Sequence, residues 1–469
     1  HLPHSSTYSY RTIIHFLPNK HMRKPILFLF SCLLFVGFYP SIAQMYPTIL
    51  PEKQRAAVID EILEDRMTNL LPTLMRQAGI DTWVIISREY NEDPVMKTML
   101  PSVWLSARRR TIFVFHDLGP EKGVERTAIA RYDVGNLLKG AWDLQTNPDQ
   151  WDALIDLLKK QNPAKIGLNF SKYFGHADGL TYTEHSELMA KLPKNLKDKV
   201  VSASDLAVSW LETRTEKEMV LYESISQISH AIIEEAFSEK VIQPGVTTTE
   251  DVVWWMRQKV TDLGLETWFH PTVDIQRYDP ENFDHLRTFS KRPDKQVILP
   301  GDLLHCDFGI TYLRLNSDHQ QHAYVLKPGE KEIPSYLVEA FKQGNAVQDY
   351  LTNQFQTGKS GNDILAAALE QTKKAGIDGT IYTHPIGLHG HAAGPTIGMW
   401  DNQGKTIGAG DYLMRPNTAY SIELNAAVRL PEWKKTIRIM LEENGFYDGK
   451  QFRYLNNRQE RIWTIPRKN

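Results

Sequence analysis

The chain reads as an α+β protein of two domains, an α/β domain followed by a larger mixed domain, and three observations predict this. Strand-like and helical runs alternate from Gln54 to about Val208. A Thr-x-x-Glu capping box, Thr215–Glu218, opens a new helical segment and sets a boundary between Ser202 and Thr215. Beyond it, acids sit inside apolar strand-like runs, where each must be paired, coordinated or displaced to an edge.

In the first domain, residues 50–210, an amphipathic helix over Arg55–Ala78, broken near Pro72, leads to an apolar, β-branched run at Thr82–Ser87. Further strands are predicted at Thr111–His116, Thr127–Arg131 and Lys165–Leu168, with Trp151–Lys160 as a helix. No metal-ligand cluster or phosphate loop stands out there, and His176 and His185 read as isolated, ordinary histidines.

The second domain, residues 215–469, begins with the capped helix, which carries Leu221, Ile225, Ile228 and Ile232 on one face. Pro244-Gly245 ends that segment, and Thr248-x-x-Asp251 opens a second helix running to Gly264. From Trp268 the chain turns β-rich. Two more helices are predicted over Pro334–Gln354, with proline in the opening turn, and Gly361–Ala375. The last hundred or so residues read as strand and loop.

Ahead of both domains, Met22-Arg23-Lys24 precedes an apolar run to Tyr39 and closes on Ser41-Ile42-Ala43. This is the pattern of a secretory signal peptide, 22–43, with the mature chain starting near Gln44. Residues 1–21 read as mistranslated upstream sequence. The expectation is an exported protein, periplasmic or secreted, with no membrane association after cleavage, since the apolar run falls short of the about 20 residues a span takes. Cys32 falls inside the signal segment, leaving Cys306 as the one cysteine of the mature chain, read as a buried structural thiol. No disulfide within the mature chain is then possible, and its core must carry its stability. With 54 basic and 56 acidic residues and no long basic run, nucleic acid is not an expected partner.

The candidate chemistry lies in five stretches. Asp307 and Asp318 stand eleven residues apart, each near the end of an apolar run. That odd spacing along one strand would send them to opposite faces, so the chain must turn back at about Gly309–Ile310 or bulge. Two carboxylates brought close together cannot both ionise cheaply without a cation between them. His384-Pro-Ile-Gly-Leu-His-Gly-His391 is rich in glycine and histidine, and Glu423 and Glu442 each lie inside an apolar strand. Asn282-Phe-Asp-His285 precedes the aspartates. Four carboxylates and an imidazole form a hard donor set suited to Mn²⁺, Co²⁺ or Zn²⁺ in a dinuclear site; salt-bridge networks are the competing reading.

From about residue 215 to 460 these residues resemble the pita-bread metallopeptidases: methionine aminopeptidase, aminopeptidase P and prolidase, with creatinase as a metal-free relative. The preceding α/β domain is similar to the creatinase-type N-terminal domain of aminopeptidase P and prolidase. The ordered Asp, Asp, His, Glu, Glu set carries the resemblance, with Gly301-Asp302 leading to Asp307-Phe-Gly and then Ser317-Asp318. It implies Asp307, Asp318, His384, Glu423 and Glu442 as ligands of two divalent ions, Mn²⁺ foremost, with Asp318 and Glu442 bridging. It implies Glu423 also as general base, and His391 and His285 as catalytic histidines near the substrate. The expected activity is hydrolysis of the N-terminal Xaa-Pro bond of short peptides or dipeptides, by a homodimer. Alternatives are a catalytically impaired peptide-binding protein with this fold and a hydrolase of another C–N bond.

The sequence also departs from the family. Thr380 stands where prolidase-like members often carry a histidine, and Met440 replaces an arginine two residues before the last ligand. Arg438 shares its strand parity and offers a substitute. His285 lies further ahead of Asp307 than the family pattern. The inner ligand set is whole, which argues against a metal-free enzyme.

Overall fold

The computed structural model describes residues 46–278 and 295–467. The signal segment, the residues before it, Cys32 and the Asn282–His285 stretch lie outside those residues.

In the first domain, helix α1 (Glu52–Asp65) passes through one π-helical turn, Arg66–Leu70, into α2 (Leu71–Ala78). The break expected near Pro72 takes the form of that turn, and Pro72 itself stands in the opening turn of α2, where its missing amide hydrogen costs nothing. Then come β1 (Thr82–Arg88), α3 (Pro94–Met99), β2 (Arg110–Asp117), β3 (Val124–Ala128) and β4 (Lys139–Gly140). The remainder is α4 (Gln150–Gln161), β5 (Ile166–Leu168), α5 (Tyr182–Lys191), α6 (Lys194–Lys197), β6 (Val200–Ser202) and α7 (Ser204–Glu212). They build one sheet in the order β4-β3-β2-β1-β5-β6. Strand β1 is buried on both faces from Thr82 to Ser87, which explains its unbroken apolar run. Residues of α1, α2, α3 and α7 cover one face and those of α4 and α5 the other. Strand β3 lies three residues earlier than the predicted Thr127–Arg131, because the tight turn after β2 pairs Asp117 with Val124 and sets the register.

The second domain opens with α8 (Glu216–Ala236) and α9 (Thr249–Asp262), each started by a complete capping box. Strands β7 (Thr272–Gln276), β8 (Leu303–Phe308), β9 (Thr311–Tyr312), β10 (Leu315–Asn316) and β11 (His319–Val325) follow. Helices α10 (Ser335–Thr352) and α11 (Gly361–Lys374) lead to β12 (Asp378–Ile381), β13 (His384–Pro385), β14 (Thr418–Leu430) and β15 (Lys435–Tyr447), then β16 (Phe452–Tyr454) and β17 (Trp463–Ile465). Among the described residues the main path of this sheet runs β12-β14-β15-β11-β8-β7, with β13 beside β14, β16 beside β15 and β17 beside β11. Ile225, Ile228 and Ile232 of α8 pack with α9 on one face, as their spacing predicts. Helices α10 and α11 cover the other face.

The aspartate stretch does fold back, with β8 antiparallel to β11 and Phe308 opposite His319. Its tip is not at Gly309–Ile310 but at Leu313-Arg314, two residues with positive φ that close the small β9–β10 ribbon. Gly309 has another role. A Cβ there would lie 2.2 Å from the Ser317 carbonyl oxygen and 2.6 Å from Trp268 Nε1, so only glycine lets the two ends of the stretch approach this closely.

The domains meet through charge. Glu218 of α8 accepts from Arg66 Nη1 at 2.7 Å and from Arg214 Nη1 at 2.9 Å, and all three side chains are buried. Burial pushes Glu218 up, but the two guanidiniums outweigh it and hold the carboxyl below its ordinary range. Cys306 is buried, as predicted, and burial pushes its thiol up, away from nucleophilic chemistry.

Candidate metal centre

Strand pairing places the carboxylates in a row. Asp307 on β8 lies opposite Gln320 on β11, Gln320 opposite Glu442 on β15, and Glu442 opposite Glu423 on β14. Register partners share a face of a sheet, so one transverse line across four strands carries three acids and an amide. Asp318 precedes β11 and enters the same place from the end of the ribbon. His384 on β13 lies opposite Ser421, two residues before Glu423, and completes the set.

The ligand atoms form two triads. Asp307, Asp318 and Glu442 each offer an oxygen within 4.8 Å of the others, and so do the donor atoms of His384, Glu423 and Glu442. Glu442 belongs to both. His384 Nε2 lies 3.4 Å from Glu442 Oε1, 3.7 Å from Asp318 Oδ2 and 4.0 Å from Glu423 Oε2. All five predicted ligands thus converge, and His391 joins them, its ring centroid 4.7 Å from that of His384. His285 lies outside the described residues.

Electrostatically the site is acid-rich. Burial, reinforced by Glu442 and Asp307, pushes Glu423 well above the usual carboxylate range, and burial with the same neighbours and Glu423 does so to Asp318. Glu442 goes the other way: burial is outweighed by His384, Ser421 and Gln320, which hold it low. Burial and the neighbouring His384 lower His391. Among the described residues, His384 is the one basic side chain in ion-pair range of Asp318, Glu423 or Glu442. Asp318 Oδ1 is buried without a hydrogen-bond partner. A divalent cation answers each of these at once: it supplies the missing positive charge, occupies the orphaned oxygen, and matches an oxygen-rich donor set with one imidazole.

Several supporting residues escaped the sequence reading. Gln320 donates from Nε2 to Glu423 Oε1 at 2.5 Å and to Glu442 Oε2 at 2.7 Å, while its own Oε1 lies 2.8 Å from His305 Nε2. Ser421 donates to Glu442 Oε1 at 2.7 Å, and Asn444 Oδ1 accepts from the Asp318 amide at 3.0 Å. His384 Nδ1 lies 2.8 Å from the Pro385 carbonyl, which puts the proton there and leaves Nε2 for a ligand role. Strand parity was the available signal: His305, Ser421 and Asn444 each lie two residues from a ligand candidate. Tyr382, likewise two residues before His384, feels the same charges, its hydroxyl pushed well up by burial and by Glu423.

The departures resolve in part. Met440 is buried, and its amide donates to His322 Nε2 at 3.0 Å. Arg438 Nη1 donates to Asn425 Oδ1 at 2.9 Å. His176 is not isolated, because it reaches from the first domain to His389, with ring centroids 4.5 Å apart. Gly390 follows in the same loop, where a Cβ would lie 2.4 Å from the Trp268 ring, so glycine seats the His384–His391 loop on that indole.

Sequence comparison with curated proteins finds no match. Structural comparison finds an X-Pro aminopeptidase from Thermotoga maritima MSB8, 16% identical, with a TM-score of 0.59, covering 84% of this chain and 100% of that one. An Xaa-Pro dipeptidase from Bacillus anthracis is 17% identical at a TM-score of 0.55, covering 88% and 100%. A putative aminopeptidase P from Bacillus anthracis is 11% identical at 0.57, covering 85% and 96%. These likenesses establish the fold, a pita-bread domain behind an α/β domain, as expected. The description "Metallopeptidase family M24" matches residues 221–444. That span holds all five converging ligand candidates, and it is as a metallopeptidase domain of family M24 that residues 221–444 are identified.

Proposed function

We propose that this chain is a dinuclear-metal exopeptidase that hydrolyses the N-terminal Xaa-Pro bond of short peptides. The observation that carries the proposal is the pair of triads sharing Glu442, which offers two adjacent places for a divalent ion. Asp307, Asp318 and Glu442 would hold one ion, and His384, Glu423, Glu442 and Asp318 the other. Such a pair supplies charge that makes a water acidic enough to attack near neutral pH and polarises the scissile carbonyl. Glu423 takes the proton of the attacking water and returns it to the leaving amine. His391 stands beside His384 and donates to the developing oxyanion. Gln320 and Ser421 hold the glutamates in place and exclude other rotamers.

The exopeptidase reading is supported by His176, which brings the first domain against His389 in the loop between His384 and His391. Preference for proline in the second position rests on the names of the structural neighbours. Mn²⁺ as the metal, a homodimer, and export through residues 22–43 belong to the same proposal. A panel of Xaa-Pro dipeptides, Xaa-Pro-Yaa tripeptides and non-proline controls, assayed with Mn²⁺, tests it. Turnover confined to the proline substrates is the expected result; equal turnover of the controls would sink the specificity. Hydrolysis of no peptide at all by protein carrying stoichiometric metal would sink the peptidase assignment for this chain's own centre.

A further inference from the structure

We propose that His230, His319 and Glu443 form a second metal site, separate from the carboxylate centre, that takes one Zn²⁺-type cation. Asp318 and His319 are consecutive, as are Glu442 and Glu443, and consecutive residues of extended chain point to opposite faces. The acids that converge on the first centre therefore have neighbours that converge behind the sheet, where α8 packs and supplies His230.

The donor atoms of His230, His319 and Glu443 all lie within 4.8 Å of one another. His230 Nε2 is 2.6 Å from Glu443 Oε2, His319 Nε2 is 3.7 Å from the same oxygen, and the two ring centroids are 4.3 Å apart. Around a tetrahedral Zn²⁺ with ordinary bond lengths, donor atoms stand about 3.3 Å apart. The observed separations straddle that value, by about 0.7 Å below and about 0.4 Å above, so side-chain adjustments of under an ångström admit the ion.

The second observation is His319 itself. Its side chain is wholly buried, and Nε2 has no hydrogen-bond partner. Nδ1 lies 3.0 Å from Ser229 Oγ. With Nδ1–H donating to that hydroxyl, Nε2 presents a bare lone pair to the cluster, which is the tautomer a metal ligand needs. His230 has a comparable support, its Nδ1 standing 3.0 Å from the Asn456 side-chain amide. Coordination through Nε2 places the proton on Nδ1 and turns the Asn456 carbonyl toward it. Glu443 Oε1 is already engaged by Gln321 Nε2 at 2.8 Å and by the Gln459 amide at 3.0 Å, which leaves Oε2 for the cation. Among the described residues no lysine or arginine pairs with this buried carboxylate; its ion-pair partners are the two histidines. Two imidazoles and one carboxylate with a fourth position open match zinc rather than a hard, all-oxygen ion. His230 is partly exposed, which gives the ion a way in. Once bound, it ties α8 to β11 and β15 across the back of the catalytic sheet.

The test is anomalous diffraction from crystals of the full protein grown with Zn²⁺, measured on either side of the zinc absorption edge, with metal analysis of the same samples. Wild-type protein is expected to show a peak between His230, His319 and Glu443, besides those at the carboxylate centre. The His230→Gln variant, altered at a partly exposed position, should lose that peak and one equivalent of zinc while keeping the others. His319→Gln should do the same. A filled carboxylate centre with nothing at the histidines in wild-type protein overturns the proposal. So does a histidine-side peak that survives both substitutions. An empty carboxylate centre beside a filled histidine site would instead overturn the function proposed above and leave this site standing.

Discussion

Two sets of buried acids in this molecule are answered in opposite ways. In the first domain Glu184 is buried against Arg88 and Arg110, with contacts of 3.1 and 2.7 Å, and at the junction Glu218 lies between Arg66 and Arg214. In the catalytic sheet Asp318, Glu423 and Glu442 have, among the described residues, one histidine for all three. An acid answered by arginine is a fastening. An acid crowded with other acids and answered by almost nothing is a site waiting for a cation, since burying such a group uncompensated costs several kcal/mol. The difference is therefore functional, and substitutions of the two kinds should fail in different ways.

The largest effect is expected at Glu423. Glu423→Gln removes the proposed base with little change in shape, and kcat should fall by roughly a thousandfold with the thermal midpoint nearly unchanged. Full activity in that variant would break the comparison from the catalytic side. Next comes Glu218→Gln, which strands two buried guanidiniums and should cost about 3–5 kcal/mol, read as a lower urea midpoint with activity per folded molecule retained. An unchanged midpoint would show that the arginine-answered acid is no fastening.

A third variant sharpens the contrast, because Glu212 lies between the two classes. It accepts from the Tyr412 hydroxyl at 2.8 Å, but Arg415, 3.7 Å away, is shared with Asp205, and burial pushes Glu212 up to about 8. Its folded value thus exceeds its unfolded one, so the folded state binds more protons between about pH 4.5 and 8. The protonated form stabilises the fold below that window, and the stabilisation is lost as pH rises through it, by on the order of a few kcal/mol. Glu212→Gln should flatten this part of the stability profile in denaturant titrations at stepped pH. The same slope in both proteins would rule Glu212 out as its cause. The smallest effect is expected for Gln320→Ala, which removes the amide bridging Glu423 and Glu442. Metal affinity, measured by competition with a chelator, should fall by about 10- to 100-fold while the fold persists.

Much of this was legible in the residues. Periodicity and capping located the start of α8 and both ends of α9, α10 and α11 to within a residue or two, because these carry their own start and stop signals; α8 ends at Ala236, eight residues before the expected stop at Pro244-Gly245. The five ligand candidates were legible because an acid in an apolar strand is chemically out of place and because their order resembles a known family. The supporting shell was not. Gln320, Ser421 and Asn444 are ordinary polar residues whose meaning comes from pairing between strands that are far apart in sequence, as Gln320 and Glu442 are. The turn at Leu313-Arg314 was hidden for another reason, since neither residue advertises positive φ and the β9–β10 pairing imposes it.

What the sequence determined alone is local: which segments are helix or strand, which face of each is apolar, and which acids cannot be buried without help. These follow from backbone sterics and from the cost of taking charge out of water, and both act within a few residues. Tertiary structure decided the rest. Cross-strand register put Asp307, Gln320, Glu442 and Glu423 on one line and sent His319 and Glu443 to the other side, and register is a relation between strands that neither strand contains.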